Sequence, residues 1–168
     1  MSVTPVSSGE VLSGFNVTGN KDLAVFSGGT ALSTDIFGGT MTVLEGGYAE
    51  ETNMVSGYGS MNVAVSGVVN KTRVGLDPSM SSSYYSSMYM NVSGSANSTT
   101  LYSAGTMFVR GASANVTDTT ISSGGRMIMS DGVASNITQM RGGSASIQGG
   151  VVNGGAQRIS WLISTTSN

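Results

Sequence analysis

Residues 122–137 read SSGGRMIMSDGVASNI, and the fold turns on this stretch. It opens on two serines and two glycines. Met127 and Met129 then stand two apart, and Gly132 closes the run. Apolar residues at a spacing of two describe a strand with one buried face. Glycine at both ends argues against helix, at about 1 kcal/mol for each interior glycine. The Val and Ile that follow are strand formers. Nothing in the stretch carries catalytic chemistry.

The same phrase recurs along the chain, and a fixed repeat outranks any local reading. GGTMTVLEGGYAEETNM at 38–54, YGSMNVAVSGVVNKTRV at 58–74, AGTMFVRGASANVTDTTI at 104–121 and GGRMIMSDGVASNITQM at 124–140 are four copies. Degraded copies lie at either end, from SSGEVLSGFNV to RGGSASIQGGVVNGG. Met41 and Met61 are 20 apart, as are Met107 and Met127, while double glycines at 28–29 and 46–47 are 18 apart. Each copy therefore holds two short strands joined by glycine-rich bends. A unit of that size cannot bury its own apolar face, but a stack of such units can. The expectation is an all-β, parallel β-solenoid of about 8 coils of 18–20 residues, roughly 40 Å long at one strand spacing per coil. Met41, Met61, Met107 and Met127 then form one buried column.

Composition fits this reading. The chain has 168 residues, 25 Gly, 10% charged residues and a formal net charge of −2. The charged fraction is well below the globular norm of roughly 25%. No electrostatic case exists for nucleic acid or an anionic membrane. With 39% hydrophobic residues the chain folds rather than remaining disordered. It has neither Cys nor His, which excludes disulfides, thiol chemistry and imidazole bases. No apolar run approaches the roughly 18 residues of a membrane span. The opening MSVTPVSSGE has no basic n-region and no apolar h-region, so the expectation is either that the protein is not exported by the signal-peptide route or that the chain is a mature or trimmed form.

One segment breaks the repeat. GLDPSMSSSYYSS at 75–87 sits between a copy ending at Val74 and one resuming with MYMNVSG. It reads as an insertion looping off a single solenoid domain that spans 1–168. Solenoid insertions often carry binding surface, although a Ser-rich loop is also tolerated for its own sake.

The phrases SSGG, ANVTDTTISSGG and DGVASNITQMRGG resemble the strand-loop-strand repeats of AIDA-type autotransporter adhesin passengers, over roughly residues 6–155 except the insertion. The resemblance implies a right-handed parallel β-solenoid that mediates adhesion, self-association and aggregation at the cell surface or outside the cell. It also implies, for some members, heptose on Ser or Thr. The large C-terminal membrane barrel of the family is not found in this sequence, so the chain is expected to be a passenger fragment or a stand-alone repeat protein.

Each candidate site competes with a packing role. Met thioethers can bind soft metals, but one Met per coil at one position reads as core. The carboxylates Glu10, Asp22, Asp35, Glu45, Glu50, Glu51, Asp77, Asp118 and Asp131 are scattered, and Glu50 and Glu51 would face opposite sides of a strand. No catalytic residue, cofactor or metal site is expected, and the chain reads as a non-enzyme. Asn-x-Ser/Thr at Asn16, Asn70, Asn91, Asn97, Asn115 and Asn136 reads as turn and ladder chemistry. Ser27, Ser56, Ser103, Ser122 and Ser123 stand beside glycine corners, where an O-glycan could attach. Tyr84, Tyr85, Tyr89 and Tyr102 cluster at and near the insertion and are candidate contacts for host or matrix glycans. Trp161, Ile159 and Ile163, in the apolar AQRISWLISTTSN, are candidates for end-to-end contact with a second copy. The alternative function is a carbohydrate-binding or carbohydrate-processing β-helix.

Overall fold

A computed structural model describes residues 1–77 and 87–154. These residues form 23 strands in three parallel sheets, with no helix. Sheet 1 has eight strands, from Ser2–Val6 to Ser144–Ile147; sheet 2 has eight, from Val11–Ser13 to Val151–Asn153; sheet 3 has seven, from Asn16–Thr18 to Thr138–Gln139. The chain visits sheets 1, 2 and 3 in turn and then climbs to the next coil. The result is a β-solenoid of about eight turns, as the repeat implies. Each coil has three strands rather than two. The third is the Thr-x-Val or Thr-Ile phrase, only two to four residues long, for example Thr120–Ile121.

Core columns follow from the register. In sheet 1, Leu23, Met41, Met61, Met90, Met107 and Met127 stack directly above one another. Every one of them is buried. Met90 completes the column although 29 residues separate its coil from the one below. Beside them runs a second column, Val25, Val43, Val63, Val92, Val109 and Met129. Sheet 2 contributes small residues, Ala31, Ala49, Val69, Ala96, Val116 and Ala134. Sheet 3 contributes Val17, Ile36, Met54, Val74, Leu101 and Ile121, all buried. A narrow triangular interior must be filled to crystal-like density. Flexible Met on one wall offsets Ala on another.

The corners divide the work of the double glycine. At Gly124 φ is +74°, a left-handed conformation; Ala104 takes the equivalent place one coil below with φ 64°. The second glycine has no such φ but has no room. A Cβ on Gly125 would lie 2.4 Å from the Leu101 carbonyl oxygen, and one on Gly143 2.5 Å from that of Ile121.

A column that the repeat reading missed lies at the corner between sheets 2 and 3. Thr34, Thr52, Thr72, Thr99 and Thr119 are each fully buried. None of their hydroxyls has a hydrogen-bond partner. Their carbonyls accept coil-to-coil bonds of 2.8 Å from Asn53, Arg73, Thr100, Thr120 and Thr138. Just before each Thr stands a non-glycine residue with positive φ: Ser33, Glu51, Lys71, Ser98 and Asp118.

In the chain, the segment read as an insertion falls between a sheet 3 strand, Arg73–Val74, and a sheet 1 strand, Met88–Val92. Gly75 to Asp77 still follow the rod, because the Leu76 amide donates to the Ser103 carbonyl at 2.8 Å. Met88–Val92 resumes sheet 1 in register. Residues 78–86 lie outside the described residues.

Candidate functional site

The hydroxyl candidates sit on two of the three corners. Ser27 lies between sheets 1 and 2. Ser56, Ser103, Ser122 and Ser123 lie where sheet 3 strands end and the chain turns toward sheet 1. Ser27, Ser103 and Ser123 are exposed; Ser56 and Ser122 are half-buried. Ser27 and Ser123 tuck under Gly46 and Gly142 of the next coil, where any Cβ would come within 2.6 Å of the serine Oγ. Ser122 Oγ points instead to Met140 Sδ at 3.9 Å.

The tyrosine candidates separate. Tyr89 is on the outer face of sheet 1 and is 41% exposed. It stacks on Phe108 with ring centroids 6.1 Å apart and planes 29° apart. The Arg110 guanidinium carbon lies 4.5 Å from the centre of the Phe108 ring. Tyr102 is half-buried at the root of the insertion. Burial pushes its phenol above the usual range, with the Asp77 carboxylate adding to the effect. Tyr84 and Tyr85 lie outside the described residues, as do Trp161, Ile159 and Ile163.

Asparagine and aspartate form side-chain ladders between coils. Asn53 donates to Asp35 at 2.8 Å, Asn91 to Asn62 at 2.9 Å and Asn136 to Asp118 at 3.1 Å; Thr117 donates to Asn97 at 2.9 Å. This is the ladder role expected for Asn91, Asn97 and Asn136.

The charged residues gather where the sequence placed them apart. Glu51 has φ 56° and so stands at a corner rather than on a strand. Glu50 and Glu51 therefore do not face opposite sides. Both reach the same Lys71 Nζ, at 2.8 and 3.5 Å. Hydrogen bonds from Lys71 and Tyr48 hold the Glu50 carboxyl below its ordinary range, and the Glu50 hydrogen bond raises Lys71. A polar groove of about 450 Å³ runs beside them, lined by Ser33, Glu51, Asn53, Lys71, Arg73, Ser98 and Thr100. Among the described residues no three of His, Cys, Asp and Glu come together as a metal site, and no helix is long and apolar enough to cross a membrane.

At its ends the described solenoid leaves apolar edges. Val3 and Val11 are 59% and 65% exposed at one end, and Val151 and Val152 are 54% and 41% exposed at the other.

These features define a parallel β-solenoid rod with a Ser, Thr and Asn surface. Among solved structures, the rod is similar to the TibC-catalysed, hyperglycosylated TibA55-350 fragment, with a TM-score of 0.74 and 28% identity over 92% of this chain. The likeness agrees with the AIDA-type passenger resemblance carried by the repeats. The chain spans 63% of that fragment's length. A scan of protein-family profiles and a search of curated proteins return no match.

Proposed function

We propose that the chain is a non-enzymatic adhesive rod acting at the cell surface or outside the cell. Its likeness to the TibA fragment, across nearly the whole chain, carries this reading. The regular outer surface supports it: side chains repeat from coil to coil as ladders, and charge is sparse, so little repulsion opposes close contact.

Self-association belongs to the same proposal. Among the described residues, the first and last strands carry the exposed Val3, Val11, Val151 and Val152, apolar edges of the kind that favour strand pairing with a second copy. A head-to-tail contact that does not close builds a filament. The TibA fragment carries sugars added by TibC. Ser27, Ser103 and Ser123, exposed at the corners, are the proposed acceptors here. The half-buried Ser56 and Ser122 are poorer ones.

The test is bead attachment. Beads coated with the purified chain should clump with each other and attach to cultured cells, while beads coated with an unrelated β protein do not. Sedimentation across a concentration series should show species larger than a monomer. Coated beads that neither clump nor attach, with a strictly monomeric chain at high concentration, would overturn the reading. Co-expression with a TibC-type transferase should add mass that falls in a variant with Ser27, Ser103 and Ser123 replaced by Ala.

A further inference from the structure

The outer face of sheet 1 changes character at Tyr89. Reading up the coils, one outward column runs Ser60, Tyr89, Thr106, Arg126 and Ser144; the other runs Asn62, Asn91, Phe108, Ile128 and Ser146. Over these coils the two columns carry both aromatic rings and no carboxylate. Below them the same columns carry the smaller Thr40, Thr42 and Ala24.

We propose that this face, around Tyr89, Phe108 and Arg110, is a glycan-binding platform that takes a sugar bearing a carboxylate. The proposal rests on the adhesive reading and names what the rod would adhere to. Three observations support it. Tyr89, which is exposed, stacks on the half-buried Phe108 with ring planes 29° apart, and the apolar C–H face of a pyranose packs on the open side of such a ring while its hydroxyls stay wet. Arg110 already lies over the Phe108 ring, so its fork of donors is held beside the aromatic surface and can meet a carboxylate in two hydrogen bonds. Arg126, exposed two coils above Tyr89 in the same column, adds a second positive charge with no acid in either column to cancel it. Beside the rings, the Asn91–Asn62 bond at 2.9 Å uses one donor and one acceptor of the pair. Each amide has two donors and an acceptor, so sugar hydroxyls find partners of both kinds there.

Aromatic rings with arginine also bind single-stranded nucleic acid. That occupant is disfavoured because the chain is net negative, −2, and two arginines do not make a track along a phosphate backbone.

The experiment measures binding of the purified chain to immobilised polygalacturonate, dextran and an oligo-thymidine strand at fixed ionic strength. Polygalacturonate should bind at least ten-fold tighter than either of the others. Tyr89→Ala and Arg110→Gln should each weaken it at least ten-fold. Only Arg110→Gln should also flatten the salt dependence. Tyr58→Ala serves as control, since Tyr58 is 79% exposed and lies off these columns. Unfolding curves of every variant accompany the binding data, so that loss of fold is seen as such. Phe108→Leu, which keeps an apolar group at the half-buried site, provides a second reading of the ring. Equal binding by wild type, Tyr89→Ala and Arg110→Gln overturns the proposal, as does tighter binding of dextran or of the oligonucleotide. Beads that still attach to cells while polygalacturonate fails to bind sink the platform alone. Beads that also fail to attach sink the adhesive reading with it.

Discussion

Replacing Gly125 by alanine tests whether the second corner glycine is required by space rather than by backbone angle. The new Cβ would sit 2.4 Å from the Leu101 carbonyl oxygen and 2.8 Å from its carbonyl carbon. Carbon makes its best contacts at about 3.5–4.0 Å, so the two coils must separate locally by roughly 1 Å. That oxygen accepts the Ser122 amide at 2.8 Å, and separation weakens the bond. Overpacking of this kind costs about 1–3 kcal/mol, and a weakened backbone bond adds about 1 kcal/mol. Reduced freedom of the unfolded chain returns only about 0.4–1 kcal/mol. The net expectation is a loss of about 1–3.5 kcal/mol. In a chain of this size that lowers the thermal midpoint by roughly 2–14 °C. Gly14→Asn is the matched control. Gly14 has φ +68°, and a Cβ there would meet nothing within 4 Å. Asn136 takes the same corner with φ 56°. The cost of Gly14→Asn should stay below about 0.5 kcal/mol, because Asn tolerates the left-handed region. Thermal and urea unfolding followed by far-UV circular dichroism decide the matter. Equal losses in the two variants, or a larger loss in Gly14→Asn, would refute the division of labour between angle and space.

Other substitutions probe the interior and the charges. Met107→Asp places a carboxylate without a partner in the buried column between Met90 and Met127, and should cost about 4 kcal/mol or more; a variant that melts like the parent would show that the column is wrong. Thr72→Val removes a hydroxyl that is buried without a partner, and should raise stability by about 1 kcal/mol; a clear drop in the urea midpoint would show that the hydroxyl is bonded. Glu50→Gln should lower the thermal midpoint at neutral pH. Because the folded carboxyl titrates below its ordinary 4.5, its contribution is present above that value and fades as pH falls through the folded one, so the gap between variant and parent should close in acid. It should close again in strong alkali, as pH rises through the raised value of Lys71. A gap that stays constant with pH would mean that the Glu50–Lys71 pair contributes nothing.

Period alone determined the solenoid. Apolar residues two apart, repeated every 18 to 20 residues with glycines between, leave no other way to bury so small a unit. They also place Met41, Met61, Met107 and Met127 in one column. Which residues become neighbours across coils was decided only in three dimensions, because coil length varies. Met90 escaped the sequence reading since 29 residues, not 20, separate it from Met61. The third strand was too short to show a period. The buried threonines look like surface residues in sequence, and only the corner turns them inward. Glu50 and Glu51 share Lys71 because Glu51 takes a left-handed corner that a strand pattern does not reveal. Tyr89, Phe108 and Arg110 come together for the same reason: stacking sets them on adjacent coils of one face, and the register that does so exists only once the chain has wound.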